Sequence, residues 1–599
     1  MADVTELEQQ HDKFSAKDMV LLKRFAKYMK PYVWKLLFFL LLDMVGTICI
    51  AAEPMLWGEF LNDLERSLLN NQANFSLIAI YCSLYLVIFL GFLLSYWFCS
   101  FGFQKIGQDV IYDIRVEVFN HIENLGIEQI NAIPIGKYVT RVTNDTYTLS
   151  LFFTDVLVNF IRNLFSLIVV AFYVLVLQWQ LGLIVMAFVP FIILLSYVVR
   201  TKARKRFRLV RNSITSINAF MSENLSGMRT IQIYNQEERK GKEFDKINDE
   251  LRDRWFKVQR LWAFYYPAMY VIQMLCVICV FAAGIPMVLN GVILSGTLFT
   301  FYLYTTQFFG PIQQLATLSN QISNFLSSAE KVSSVLDMQA TVEDFPNARP
   351  VDKFFGEIEF KHVWFAYVGE DWVLKDVSFK IKAGQTAAFV GQTGAGKSTI
   401  IGLIVRNYNI QKGEILIDGI NIKDIQIESL RRGIGEMLQD VFLFSGTIAD
   451  NISLNDKTVP HEDIVNACKY VGADKFIEKL PNKYDEVVRE RGNNFSTGQR
   501  QLISFARVVV YKPQIIVLDE ATANIDTETE VLIQDSLNKM RNIGTMLIVA
   551  HRLSTIKNAD VIFVLSKGRI IEQGNHDELV ELGGTYYNMY RLQNMQKDI

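Results

Sequence analysis

Charge is scarce in this 599-residue chain: 20% of its residues are Asp, Glu, Lys or Arg, against 51% hydrophobic. Soluble domains carry about a quarter charged residues, so the composition argues against a single water-soluble globule and excludes a disordered chain. Neither sign of charge dominates. Lys and Arg total 60 and Asp and Glu 62, a net charge of −2, which excludes a nucleic-acid partner held by bulk positive charge. Cysteine is rare as well; six in the whole chain cannot form a disulfide scaffold. Cys276 and Cys279 stand three apart without a His or Cys partner set and read as small buried hydrophobes. The start of the chain has no short apolar segment with a cleavage site, so no removed signal peptide is expected.

What is abundant is apolar sequence in long runs. Leu261–Ala329 is 69 residues without an Asp, Glu, Lys, Arg or His, Phe75–Cys99 is 25 more, and Leu181–Val199 another 19. A hydrocarbon core of ~30 Å takes about 20 helical residues to cross. Six spans are expected, at roughly 33–57, 75–101, 150–177, 181–200, 261–289 and 292–325. Basic residues concentrate on one side, and the 57–75 link on the other has one Arg against three acids. Lys23, Arg24, Lys27, Lys30 and Lys35 surround the start of the first span, and Arg200, Lys202, Arg204, Lys205, Arg206, Arg208 and Arg211 follow the fourth. The positive-inside rule then puts both termini and the 101–150 and 200–260 segments in the cytoplasm. Residues 19–30 are basic and amphipathic and suit a helix in the inner interface, ahead of Pro31.

The two cytoplasmic segments have helical periodicity and little Pro or Gly. Read as extensions of the spans, each makes two arms of ~25 residues reaching about 38 Å from the bilayer. Their tips are expected near Gly136–Thr148 and Ser222–Tyr234.

Charges within spans are costly and call for a reason. Asp43 and Glu53 fall in the first span, and Asp155 and Arg162 in the third, seven apart and close to one face. One reading gives Asp43, Glu53 and Arg162 to a substrate cavity that attracts amphipathic cations; the other makes them a structural ion pair or snorkelling ends. Spans five and six are rich in aromatics, Phe264, Tyr265, Tyr266, Tyr270, Phe299, Phe301, Tyr302, Tyr304, Phe308 and Phe309 among them. These suit either a cavity lining or core and lipid packing.

The pattern changes after residue 335. Asp344–Pro350 reads as a linker, and beyond it short β-rich runs (IEF, TAAFV, EILI, QIIVL, TMLIVA, DVIFVL) alternate with helical ones. That alternation predicts an α/β domain with a largely parallel sheet. The division is therefore 1–335 for the membrane domain, 336–350 for the linker and 351–599 for the α/β domain.

Gly391, Gln392, Thr393, Gly394, Ala395, Gly396, Lys397 and Ser398 match GxxxxGK[ST], directly after the apolar run Thr386–Val390 and before the helical pattern that opens at Thr399. Such a strand–loop–helix lets backbone N–H groups converge on phosphates at the positive end of a helix. Lys397 reaches the β- and γ-phosphates, and the Ser398 hydroxyl is a ligand for Mg²⁺. Gln514–Leu518 is an apolar strand ending in Asp519 and Glu520. Asp519 suits Mg²⁺ through water, and Glu520 the orientation of an attacking water.

In this order, Tyr367, Gly391–Ser398, Gln439, Phe495-Ser-Thr-Gly-Gln499, Asp519-Glu520, Asp526 and His551 resemble the ATP-binding domain of ATP-binding cassette (ABC) transporters. The whole chain resembles a half-transporter of the multidrug exporter type, six spans followed by one P-loop ATPase domain. The resemblance implies that Tyr367 stacks on adenine and that Gln439 senses the γ-phosphate and Mg²⁺. It implies that His551 holds the γ-phosphate and Glu520, and that Asp526 lies where two such domains meet. It also implies that Ser496, Gly498 and Gln499 bind the γ-phosphate of ATP held by a second half-transporter, so a dimer is required.

The family's Leu-Ser-Gly-Gly-Gln is Phe495-Ser496-Thr497-Gly498-Gln499 here, and Thr497 puts a β-branched side chain where backbone must approach phosphate. Lys397, Asp519, Glu520 and His551 are intact. This asymmetry resembles one subunit of the heterodimeric exporters, with a partner that lacks the catalytic Glu; a homodimer with a tolerated variation is the alternative. The expected activity is ATP-driven export of hydrophobic or amphipathic compounds across the cell membrane, by alternating access. A lipid or lipid-linked flippase with the same engine is its alternative.

Overall fold

The structure is a computed structural model and describes residues 16–69, 75–437, 440–519, 527–549 and 556–595. It divides into two compact units. One comprises residues up to Glu123 and Gly136–Met338; the other Asn124–Ile135 and everything from Gln339 onward.

The first unit is helical. Its main helices are α1 (Ala16–Ala26), α2 (Val33–Leu69), α3 (Phe75–Glu123), α4 (Leu157–Leu177), α5 (Trp179–Ser226), α6 (Glu237–Leu289) and α7 (Ser295–Leu336). Five helices among the described residues are long and apolar enough to cross a membrane, over Lys17–Ser67, Ser76–Glu123, Ile135–Leu177, Trp179–Ser226 and Glu237–Leu289. The sixth expected run falls on α7, which is one unbroken helix of 42 residues. Helices α3, α5 and α6 run on far past their apolar stretches, with 49, 48 and 53 residues, because nothing in the adjoining polar sequence breaks them.

The second tip lies where expected, at the short helix Met228–Ile233 between Gly227 and Tyr234. The first does not. It is the short helix Ile127–Ala132, opened by Gly126 and closed at Ile133 before Pro134. The expected site, 136–148, instead continues helically through Ile135–Thr140, a π turn at Arg141–Asp145 and Thr146–Leu151. A second π turn, Phe152–Val156, leads into α4. Arg115 supports the first of these turns by donating to the Val142 and Thr143 carbonyls.

Small residues and polar side chains hold the helices together, as they must where lipid gives no hydrophobic drive to association. Gly58 and Gly296 let α2 and α7 touch: a Cβ on Gly296 would lie 2.1 Å from the Gly58 oxygen. Pro54 in α2 cannot donate to the Ile50 carbonyl, and Gln307 of α7 donates to it instead at 3.3 Å. Buried Tyr304 donates to the Ala51 carbonyl at 2.7 Å. Of the aromatics in spans five and six, Tyr265, Phe301, Tyr304, Phe308 and Phe309 are core, whereas Phe264, Tyr266 and Tyr270 are exposed. Helix α1 packs Leu21 and Phe25 inward, Phe25 edge-on to Phe325, and pairs Lys17 with Glu330 and Arg24 with Asp337.

Among the described residues the second unit has twelve strands: β1 (Ile358–Ala366), β2 (Trp372–Ile381), β3 (Thr386–Gly391), β4 (Lys412–Ile417), β5 (Ile420–Asn421), β6 (Ile434–Met437), β7 (Gly446–Thr447), β8 (Val487–Val488), β9 (Ile515–Asp519), β10 (Thr545–Val549), β11 (Val561–Ser566) and β12 (Arg569–Gly574). The main sheet has the order β12-β11-β3-β10-β9-β6, parallel except for the edge strand β12. Its central strands are buried along their length, which is why they read as unbroken apolar runs. A second, antiparallel sheet, β2-β1-β4-β5, covers one side through Phe360, Phe379 and Phe389.

Candidate functional site

The parallel sheet sends three successive motif strands to one edge. Val549 of β10 pairs with Phe389 of β3 on one side and Asp519 of β9 on the other. The phosphate-type loop after β3 and the carboxylate ending β9 therefore open on the same crevice, where ligands of parallel sheets bind.

The loop itself requires its glycines. Gly391 has φ 156°, and a Cβ there would meet the Leu565 carbonyl at 2.3 Å. Gly396, at φ 102°, precedes the helix α8 (Lys397–Ile404), and a Cβ on it would strike Leu374 at 2.6 Å. Lys397 is buried and bends back over the loop, its Nζ donating to the carbonyls of Gly391 at 2.8 Å and Gln392 at 3.1 Å. Burial holds its pKa below the usual lysine value, and the Asp519 charge opposes that shift. A cation kept short of solvent at the start of a helix, beside a glycine loop, suits polyphosphate. Ser398 is exposed beside it, and Asp519 is half-buried at the end of β9. A hydroxyl and a carboxylate are the hard oxygen donors that Mg²⁺ takes beside phosphate.

Tyr367 is 44% exposed, so its ring can receive a base. Its hydroxyl lies 3.0 Å from that of Thr399, one residue after the Mg²⁺-type serine. The signature segment opens a helix, α9 (Thr497–Val510). Ser496 is its N-cap: the Gln499 N–H donates to the Ser496 hydroxyl, and the Ser496 N–H to the Gln499 side chain. Ser496 and Thr497 are exposed at the helix N-terminus and Gly498 is buried. Phe495 is buried in the core against Phe476, so Phe for Leu keeps an apolar anchor. Gln439, Glu520, Asp526 and His551 lie outside the described residues.

Two features escaped the sequence reading. Glu436 of β6 is largely buried near Asp519; burial pushes its carboxyl up, Asp519 adds to this, and Arg431 opposes it. The segment after α8 is the other. Arg406, fully buried, donates to the carbonyls of Glu343, Ile422 and Ile425, and Phe345 lies over its guanidinium at 5.2 Å. Asn409 donates to the Thr341 carbonyl, and the Gln129 side chain to that of Gln339. Tyr408 takes a hydrogen bond from Asn131 of the tip helix Ile127–Ala132. The expected linker is thus pinned to the ATPase fold; only residues distant in sequence do the pinning.

In the membrane unit, Arg162 of α4 binds Asp43 of α2 through two hydrogen bonds of 2.6 and 2.7 Å and lies over the Tyr96 ring. Its partner is therefore not Asp155, its neighbour on the same helical run. Glu53 accepts a hydrogen bond from Tyr85 of α3 at 3.1 Å.

Comparison with known proteins agrees with this geometry. The ABC transporter transmembrane region model matches residues 36–312, and the ABC transporter model residues 374–523. The chain is 39% identical over 582 residues to the protein named ABC transporter ATP-binding protein exp8 of Streptococcus pneumoniae, covering 96% of this chain and 97% of that one. It is 38% identical over 502 residues to YheH of Bacillus subtilis, named as a multidrug resistance ABC transporter ATP-binding/permease protein, covering 82% and 74%. A multidrug export ATP-binding/permease protein of Staphylococcus aureus, by its name, is 33% identical over 96% of this chain and all of its own. A solved bacterial Atm1-family ABC exporter with ATP bound superposes with a TM-score of 0.75 at 25% identity, over 94% of this chain and 98% of that one. The chain belongs to the ABC transporter family, as an exporter half with its membrane domain fused to an ATPase that drives transport.

Proposed function

We propose that this chain exports hydrophobic or amphipathic compounds as the catalytically competent half of a heterodimer, with both termini in the cytoplasm. The observation that carries the asymmetry is Thr497. Its side chain is exposed at the opening of α9, where a second subunit's nucleotide must approach the helix N-terminus. A β-branched residue there holds the phosphate away from the backbone, so the site this signature completes is the impaired one.

The competent site is the chain's own. Lys397 and the loop N–H groups bind the phosphates, Tyr367 receives the adenine, and Ser398, Gln439 and Asp519 hold Mg²⁺, which neutralises phosphate charge when bound. Glu520 orients and deprotonates the attacking water, and His551 keeps Glu520 and the γ-phosphate in register. Asp526 lies at the junction with the companion's ATPase domain. The companion supplies an intact signature and lacks the catalytic Glu. ATP binding closes the two ATPase domains, and the arms convert closure into outward opening.

The substrate class draws support from the multidrug names of the YheH and Staphylococcus aureus relatives. Purifying the chain with and without a companion half-transporter, and measuring ATPase stimulation by drugs and by lipids, tests this reading. Cooperative, drug-stimulated turnover only in the pair is expected. Full turnover by the chain alone would overturn the heterodimer, and stimulation by lipid alone would overturn drug export.

A further inference from the structure

The two acids of the first span differ in a way that the sequence does not reveal. Asp43 is neutralised by Arg162. Among the described residues, no cationic side chain pairs with Glu53, whose one hydrogen bond comes from the Tyr85 hydroxyl. A carboxylate without a counter-charge is too costly against lipid and must face a cavity or the interior of the bundle.

Aromatic rings cluster about its hydrogen-bond partner, Tyr85. Trp57, one turn along α2 from Glu53, stands 5.8 Å from the Tyr85 ring. Phe89 is parallel to Tyr85, 8° apart, at 6.4 Å. Phe60, a further turn along α2, meets Tyr81 of α3 at 5.5 Å. Trp57 and Phe89 are 41% and 48% exposed, so their rings are free to contact a ligand. Asp63, at the far end of this ladder, is paired with Arg66, whereas Glu53 has no such partner among the described residues. Ring faces carry negative potential, and with a carboxylate beside them they attract a desolvated cation.

We infer that Glu53, Trp57, Tyr85 and Phe89 form a binding site for lipophilic organic cations, and that Asp43 is not part of it. This rests on the export reading above and names its substrate class. Neutralising Glu53 by a bound monovalent cation supplies the counter-charge the fold omits, as Arg162 does for Asp43.

The test uses the full chain, with its companion, in lipid nanodiscs, and two probes of the same shape and opposite charge, tetraphenylphosphonium and tetraphenylborate. The wild type should bind the phosphonium at least ~10-fold more tightly than the borate. Glu53→Gln should abolish that preference, Glu53→Asp should restore most of it, and Trp57→Leu should weaken phosphonium binding by roughly 3–10-fold. Equal binding of both probes by the wild type, or an unchanged preference in Glu53→Gln, would overturn the site. ATP-driven transport of a neutral dye in that case would leave the export reading standing, whereas no ATP-driven transport of any compound would overturn the export reading.

Discussion

The ring of Tyr408 stands edge-on to that of Tyr367, centroids 5.2 Å apart and planes at 84°. Tyr367 is the proposed adenine platform and touches Thr399 of the phosphate-loop helix. Tyr408 in turn is bonded by Asn131 on the tip helix that joins two membrane-spanning arms. One ring contact thus separates the proposed base site from the residue bonded to the tip helix.

If that contact carries information, Asn131→Ala should raise the KM for ATP by roughly 2–5-fold, although Asn131 touches no nucleotide. Tyr408→Phe, which keeps the ring and removes the hydroxyl, should do the same, and the double variant should be no worse than either single one. Steady-state ATPase titrations of the four proteins check this; additive effects would show that the two residues act separately.

Thr497→Gly restores the close backbone approach at the start of α9. Nucleotide trapping at the site completed by this signature should rise, while total turnover of the pair changes by less than about twofold, because the companion's half of that site lacks a general base. A self-dimer would gain several-fold in turnover instead, since Glu520 would then serve both sites.

Arg406, fully buried, satisfies three backbone carbonyls. Arg406→Met keeps the volume and leaves those acceptors unpaired, at a cost of about 2–4 kcal/mol. The ATPase unfolding transition should fall by roughly 5–15 °C in a thermal scan. Arg406→Lys should recover little, because an ammonium cannot fork to three carbonyls on two segments.

Asp43 and Arg162 should behave as one unit. Either single neutralisation strands a charge in the membrane interior, whereas Asp43→Asn combined with Arg162→Met should cost less than the sum of the two by about 1–3 kcal/mol. Thermal stability of the four purified proteins measures that coupling.

Features set by local pattern were legible before the structure. Run length announced the spans, and the strand–glycine–helix spacing announced the phosphate loop. Buried parallel strands showed as apolar runs, and the second tip fell within the expected Ser222–Tyr234. The first tip was misplaced by about ten residues, although its breakers, Gly126 and Pro134, were in view, because polar sequence around 136–148 looks turn-like while Arg115 supports it as helix and π turn. What depends on distant partners was hidden. Arg162 has an acid seven residues away, in the π turn that leads into its helix, and binds one 119 residues away on another. The antiparallel β1–β2–β4 pairing and the Arg406 clamp are likewise long-range choices that no short window encodes.

The central claim is that hydrolysis at this chain's own ATP site powers movement of a compound through its membrane domain. The most direct measurement is ATP-dependent dye accumulation in inside-out vesicles holding this chain and its companion, with wild type and Glu520→Gln compared at equal expression. The account predicts that the substitution lowers the rate by roughly 100-fold or more while ATP binding persists. Uptake by Glu520→Gln at the wild-type rate would contradict it.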